Sequence, residues 1–221
     1  MGKPYQSVPI QDCGEPLVAI PQDKFARVKP HPYAALGAPY GDRSPYYLRR
    51  GVLAALVQAQ EHLQAQQPGW RFEIFDAYRP VAVQQFMVDH TYGQLRQENP
   101  TATKETLLDQ VYQFWAPPSP NPATPPPHST GAAVDLTLQD AQGTTVDMGS
   151  PIDEVSERSF PNHFADKPGP YHRHRQLLHS AMAAAGFRQH PNEWWHFSLG
   201  DQLWAWLGRE ETETAARYGG I

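Results

Sequence analysis

The sequence has a single cysteine and no long apolar run. Cys13 has no partner within the chain, so an internal disulfide is excluded, and the composition suits a reducing compartment. No segment approaches the ~20 apolar residues that span a bilayer, and the N-terminus lacks an apolar stretch of signal-peptide length. We therefore expect no membrane partner and a cytoplasmic location, which a cleaved leader outside this sequence would change.

Concentrated positive charge is also missing. Lys and Arg number 18 against 23 Asp and Glu, a formal net charge of -5. The one basic cluster, around Arg173 and Arg175, is too short to neutralise a phosphate backbone, so nucleic acid is not an expected partner. Proline is abundant instead, with 23 residues, roughly twice the usual share of about 5%. This content predicts long ordered loops.

The length of 221 residues and the hydrophobic content of 40% predict one domain with its own core. Residues 1–48 show no periodicity and are rich in Pro, Tyr and Gly, so we interpret them as an extended arm packed on the body. Residues 116–127 (APPSPNPATPPP) have the composition of a linker. A chemistry-bearing motif follows them directly, and we interpret them as a stiff loop held against a site. The prediction is a single domain, 1–221, with 1–48 as its arm.

Apolar spacing and breaker residues predict the main elements. Helices are predicted at 49–66, 80–98, 104–115, 171–185 and 203–207, and strands at 70–78, 132–138 and 194–199. Residues 147–170 are predicted to form a loop. Helices mixed with short strands in this order indicate an α+β fold rather than a repeating βαβ unit.

A first candidate site is the pair His128 and Asp135, which lie on a predicted loop and strand separated by a glycine turn. Imidazole and carboxylate are both good zinc ligands, and a catalytic zinc needs three protein ligands and one open position. By itself the pair is more typical of a turn-capping histidine and an aspartate in a local hydrogen bond.

Two further motifs accompany it. Glu193 and His196 enclose two tryptophans, which places a base beside a ligand. Regular strand alternation would put the two side chains on opposite faces, so a bend is predicted between them. Arg79, at a strand-to-helix junction, fits either a surface ion pair with Asp76 or an electrophile that stabilises oxyanion charge. Each motif alone is a weak indication.

In their order, YRP (78–80), HSTGAAVD (128–135) and EWWH (193–196), the motifs resemble the D-alanyl-D-alanine dipeptidases. These zinc peptidases occur in vancomycin-resistance clusters and in bacteria without them, and are related to D,D-carboxypeptidases and the hedgehog signalling domain. The resemblance covers about residues 16–200, and HSTGAAVDLTL, MGSPID, ERS and EWWHF are its most specific segments. It implies a small, mainly antiparallel sheet that carries the zinc site and is flanked by helices.

The resemblance also implies roles for individual residues. It implies one Zn²⁺ per chain, held by His128, Asp135 and His196, with Glu193 as general base and Arg79 as stabiliser of the tetrahedral intermediate. Asp153 matches an acid that holds the substrate's ammonium group, and Tyr78 and Ser129 complete the predicted substrate-binding set. One position departs from the family, because Pro126 stands where other members have a substrate-binding serine.

The implied reaction is hydrolysis of D-alanyl-D-alanine by a water that the metal activates, for antibiotic resistance or for recycling of the dipeptide. Two alternatives stay open: a D,D-carboxypeptidase that acts on muropeptides, and a non-catalytic binding module stabilised by zinc. The EWWH and MGSPID segments favour the dipeptidase. Glu193 and Arg79 argue against the binding module, since a structural zinc is normally closed by a fourth protein ligand. The sequence does not indicate the oligomeric state.

Overall fold

A computed structural model describes residues 3–209 and 215–221. The strands are β1 (Leu17–Ala19), β2 (Ala26–Arg27), β3 (Tyr47–Arg49), β4 (Arg71–Asp76), β5 (Ala133–Gln139), β6 (Arg188–Gln189) and β7 (His196–Ser198). The α-helices are α1 (Pro32–Ala35), α2 (Arg50–Gln66), α3 (Val81–Glu98), α4 (Lys104–Phe114), α5 (Tyr171–Ala184) and α6 (Gln202–Leu207). Short 3₁₀ helices span Pro4–Ser7, Pro127–Thr130 and Glu157–Ser159.

The central sheet has the strand order β2-β4-β5-β7-β6. The pair β2 and β4 is parallel, whereas β4 with β5, β5 with β7 and β6 with β7 are antiparallel. This confirms the predicted α+β fold with a small, mainly antiparallel sheet. The register places Asp135 directly opposite His196 on β7 and opposite Asp76 on β4. Polar groups that are distant in sequence therefore meet at one end of the sheet.

The two faces of β5 have different partners, because successive side chains of a strand point in opposite directions. Val134, Leu136 and Leu138 belong to the main hydrophobic core. That core also contains apolar side chains of β4, α2 and α5: Phe72, Ile74, Val52, Leu56, Leu63, Leu178 and Met182. Burial of each such side chain contributes about 1.5–3 kcal/mol. Asp135 and Thr137 alternate with these apolar residues along β5, so their side chains point to the opposite face of the strand.

The helices predicted at 49–66, 80–98, 104–115, 171–185 and 203–207 are confirmed within one or two residues at each end. The last predicted strand is shorter than expected, because the chain bends at residues 194–195 and pairs only from His196 onward. Strand β6 and helix α1 were not predicted, since two and four residues are too short to show a period. Among the described residues, no helix has both the length and the apolar character needed to cross a bilayer.

Arg49 forms hydrogen bonds that connect the N-terminal and C-terminal segments to the loop after residue 126. Its Nε donates to the carbonyl of Thr130 at 2.9 Å, and its Nη2 donates to Asp12 Oδ2 and to the carbonyl of Gly219, each at 3.0 Å. Gly131 ends the 3₁₀ helix of this loop with a φ of 71°, and a Cβ there would lie 2.4 Å from Leu17 Cδ2. Only glycine combines this left-handed conformation with such a close approach.

Candidate metal centre

Three side chains meet at the end of the sheet: His128 from the 3₁₀ helix, Asp135 from β5 and His196 from β7. His128 Nε2 lies 3.1 Å from His196 Nδ1 and 3.1 Å from Asp135 Oδ2, and His196 Nδ1 lies 3.0 Å from Asp135 Oδ1. All three residues are at least 95% buried. The cluster therefore offers two nitrogens and a carboxylate to one point.

The outer nitrogens of both histidines are engaged by the protein. His128 Nδ1 donates to the carbonyl of Ala77 at 2.7 Å. His196 Nε2 lies 3.3 Å from Ser198 Oγ, which itself donates to Asp201 at 2.8 Å. These partners leave the lone pairs of His128 Nε2 and His196 Nδ1 facing each other, an arrangement that a shared cation stabilises.

The separations fit a zinc ion. Tetrahedral coordination at bond lengths of about 2.0–2.2 Å sets neighbouring ligand atoms roughly 3.3 Å apart, close to the three distances above.

The protonation states of the three side chains also fit a metal site. Burial alone would raise the pKa of Asp135, but its contacts with His128 and His196 hold that pKa well below its usual range. Burial lowers the pKa of His196, so its imidazole is neutral, as metal ligation requires.

Glu193 lies beside this cluster without joining it. Its Oε2 is 3.8 Å from His196 Nδ1, and its Oε1 is 3.5 Å from His190 Nδ1. The bend at residues 194–195 turns the chain so that Glu193 and His196 face one cavity, as predicted from their spacing. Burial raises the pKa of Glu193 well above its usual value, and the charge of Asp135 raises it further. Burial thus favours the protonated form of this carboxyl group as long as no cation lies beside it.

Arg79 is buried against the cluster rather than exposed. Its Nε donates to Asp76 Oδ2 at 2.8 Å, and its Nη1 donates to Gln84 Oε1 at 2.9 Å. Its Nη2 lies within bonding distance of the hydroxyl of Tyr33 at 3.3 Å and of Asp135 Oδ2 at 3.1 Å. The sequence analysis gave two alternatives for Arg79, an ion pair with Asp76 or a position at the site. The structure shows both.

Asp153 reaches the same cavity from the loop between β5 and α5. Its backbone has a φ of 66°, uncommon for a residue with a side chain, and its Oδ2 accepts a hydrogen bond of 2.7 Å from Tyr33. Burial, reinforced by the charge of Asp135, raises the pKa of Asp153 to about 7. Arg175 holds this loop by donating to the carbonyl of Met148 at 2.8 Å and to Ser150 Oγ at 3.0 Å.

Two predicted substrate-binding residues lie behind the cavity wall. The hydroxyl of Tyr78 contacts Arg43 and the carbonyl of Ile221, and Ser129 Oγ donates to the carbonyl of Arg79 at 2.7 Å. Neither is among the residues that line the cavity, and direct binding by them stays a prediction. The carbonyl of Pro126 accepts from the Ser129 amide at 3.0 Å, so this proline shapes the loop that carries His128.

The cavity encloses about 450 Å³ of empty space, including its mouth. Its lining contains several residues that the sequence analysis did not select: Lys3, Tyr5, Gln84, Trp115 and His190. The three-residue interval between His190 and Glu193 was the one available indication. No local pattern points to Lys3 or Tyr5, because they approach the site from the opposite end of the chain.

A buried set of two histidines and an aspartate that could hold a metal ion, with a free glutamate beside it, is the arrangement typical of metallohydrolases. Comparison with known proteins narrows this class. The family model described as D-ala-D-ala dipeptidase matches residues 26–214, and the chain belongs to this family of metallopeptidases.

Individual relatives agree with the family match. A Synechocystis sp. protein named D-alanyl-D-alanine dipeptidase is 53% identical over 92% of this chain and 90% of its own length. A protein of the same name from Enterococcus faecalis is 32% identical over 69% of this chain and 73% of its own length. The solved structure of the LdcB LD-carboxypeptidase aligns with 92% of this chain and 76% of that chain, at a TM-score of 0.47 and 13% identity.

Proposed function

We propose that this chain is a zinc-dependent dipeptidase that hydrolyses D-alanyl-D-alanine, with one Zn²⁺ held by His128, Asp135 and His196. Family membership and the names of the relatives support the substrate. The main support is geometric. The ligand atoms of His128, Asp135 and His196 lie 3.0 to 3.1 Å from one another, and the carboxylate of Glu193 lies beside them without joining the cluster. When bound, zinc supplies a Lewis acid that acidifies water and polarises the scissile carbonyl.

Glu193 is the proposed general base. Its position next to the cluster lets it take a proton from the attacking water and return that proton to the leaving amine. The raised pKa of its buried carboxyl group suits this role, because the proton must stay on Glu193 between the two steps. The bend before β7 supports the proposal, since without it Glu193 would face away from His196.

Arg79 is the proposed stabiliser of oxyanion charge. Four of its five N–H donors are used by Asp76, Gln84, Tyr33 and Asp135, which fixes the orientation of the guanidinium. The guanidinium lines the cavity, so it is positioned to donate to the substrate. A single pre-positioned donor of this kind contributes on the order of 3 kcal/mol to transition-state stabilisation.

Asp153 is the proposed partner of the substrate's ammonium group. Its carboxyl is buried in the cavity wall, so an incoming ammonium supplies the compensating charge that the carboxylate lacks. Tyr33, which joins Asp153 to Arg79, keeps the ammonium site at a fixed distance from the scissile bond.

We further propose that residues 1–221 form one domain. The arm, 1–48, contributes Tyr33 to the site and strand β2 to the central sheet, so it is part of the catalytic unit. A cytoplasmic location would give the enzyme access to free dipeptide, whereas cross-linked peptidoglycan lies outside the cell. The proposal includes no membrane or nucleic-acid partner.

A peptide panel assayed with and without a chelator tests the proposed function. Purified zinc-loaded protein is expected to cleave D-alanyl-D-alanine, to spare L-alanyl-L-alanine and a pentapeptide ending in D-Ala-D-Ala, and to lose activity with chelator. Release of D-alanine from the pentapeptide at a comparable rate would instead identify a D,D-carboxypeptidase. Stoichiometric zinc without hydrolysis of any peptide would identify a non-catalytic module.

A further inference from the structure

The N-terminal residues Lys3 and Tyr5 form part of the wall of the cavity. The 3₁₀ helix Pro4–Ser7 packs on α6, where Gln202 Nε2 donates to the carbonyl of Val8 at 2.6 Å and to the carbonyl of Ala123 at 3.0 Å. One buried amide thus joins the arm to the proline-rich loop. Tyr5, in this helix, is 5% exposed and lines the cavity.

Lys3 caps this helix and also lines the cavity. Its main-chain amide donates to Gln6 Oε1 at 2.8 Å, and its ammonium group donates to the carbonyl of Tyr112. None of the ion pairs found among the described residues involves Lys3. Arg79, the other cation of the cavity, already pairs with two carboxylates. Lys3 is therefore the cavity cation whose charge is still available to an anion.

The charged groups have an order along the cavity. Asp153 and Arg79 are joined through Tyr33 on one side of the ligand cluster. Glu193 lies on the other side, beside His196 and His190. Lys3 reaches this side too, because its ammonium group contacts the carbonyl of Tyr112 and the next carbonyl, that of Gln113, accepts from Asn192 Nδ2 at 3.4 Å. Asp153 and Lys3 thus reach the cavity from two sides, the first next to Arg79 and the second next to Glu193.

A zwitterionic dipeptide matches this order. With its ammonium at Asp153 and its scissile carbonyl at the ligand cluster, the leaving nitrogen must face Glu193 to receive a proton. The C-terminal carboxylate is two bonds from that nitrogen, so it points to the Glu193 side, where Lys3 lies. Opposite charges fixed at two positions in the cavity would select substrate length as well as charge.

We propose that Lys3 is a specificity-determining residue that binds the C-terminal carboxylate of the dipeptide. The proposal rests on the proposed function, since it takes its substrate orientation from that reaction. Together, Lys3 and Asp153 hold the two ends of the substrate and exclude peptides extended at the carboxyl side.

The test compares Lys3→Met with wild-type zinc enzyme on D-alanyl-D-alanine and on D-alanyl-D-alaninamide, which lacks the carboxylate. Loss of a charge-assisted hydrogen bond predicts a KM for the dipeptide about 10- to 100-fold higher, with a smaller change in kcat. The KM for the amide, already high in the wild type, is expected to stay unchanged. Lys3→Arg should restore most of the affinity, and Lys24→Met, at an exposed lysine, should behave as wild type.

Several outcomes would overturn the proposal. Equal losses on the dipeptide and its amide would give Lys3 a structural role, and no loss on the dipeptide would assign the carboxylate to another group. Calorimetric binding of both ligands to the zinc-loaded Glu193→Gln protein, with and without Lys3→Met, separates this proposal from the proposed reaction. If binding depends on the carboxylate and on Lys3 but the wild-type enzyme does not hydrolyse the dipeptide, the role proposed for Lys3 stands and the proposed reaction is wrong. No binding of the dipeptide would refute both.

Discussion

His128 Nε2 lies 3.1 Å from His196 Nδ1, although each ring has already engaged its other nitrogen with the protein. Two imidazole lone pairs brought this close repel each other unless a cation lies between them and Asp135. The fold thus fixes the orientation of both proposed ligands, through Ala77 behind one ring and Ser198 behind the other. Such outer partners typically change metal affinity 10- to 100-fold.

The first prediction concerns zinc content. His128→Ala is expected to purify with little zinc, because a two-ligand site binds the metal far more weakly, and it should be inactive. Metal analysis after dialysis, together with thermal unfolding with and without added zinc, measures the effect. His62→Ala, at an exposed histidine of α2, is the matched control. A His128→Ala protein with one tightly bound zinc would contradict the ligand assignment.

The second prediction separates metal binding from proton transfer. Glu193→Ala is expected to keep its zinc and to lose turnover by about 10²- to 10⁴-fold, the contribution typical of general acid–base catalysis. Zinc content and kcat on D-alanyl-D-alanine are measured on the same preparation. Glu61→Ala, at an exposed glutamate, should match wild type. Full activity in the Glu193→Ala protein would remove Glu193 from the mechanism.

The third prediction concerns the geometry of Arg79. Arg79→Lys keeps the charge but lacks the planar fork that bonds Asp76, Gln84 and Asp135 at once. We expect kcat to fall by about 10²-fold or more, with a lower midpoint of unfolding in denaturant because Asp76 stays buried with a poorer partner. Wild-type kcat in this variant would show that charge alone suffices.

The fourth prediction follows from the pKa of about 7 for Asp153. The unfolded chain has an ordinary aspartate, so folding binds the proton more tightly. The stabilisation is full below about pH 4 and is lost as pH rises through about 7. The metal-free wild type should therefore lose stability between about pH 4 and about pH 7, relative to Asp153→Asn. Asparagine tolerates the left-handed backbone at this position. Parallel pH profiles in urea denaturation would argue against the raised pKa.

Much of this fold could be predicted because its elements are long enough to show periodicity. Helix α2 and strand β5 have regular apolar spacing, and their observed bounds lie within a residue or so of the predicted ones. The bend before β7 was predicted because Glu193 and His196 could face one site only if regular alternation was broken. Strand β6, with two residues, carries too little pattern to be recognised.

The site was predictable only in part, for a physical reason. The resemblance of the three motifs to a known family gave the candidate ligands, and strand pairing places Asp135 against His196. Lys3 and Tyr33 come to the cavity through tertiary packing of the arm, which leaves no periodic trace in the sequence. Tyr78 is the converse case, since it lies next to Arg79 in the chain but its hydroxyl contacts the C-terminal segment.

The anchoring of Gly219 by Arg49, with the amide of Ile221 donating to the carbonyl of Ser129 at 3.2 Å, has a practical consequence for anyone handling the protein. Deletion of residues 219–221, or a bulky purification tag attached to them, would disturb their contacts with Arg49 and with the loop that carries His128. Weaker retention of zinc during purification is the expected symptom, and a tag placed elsewhere should avoid it.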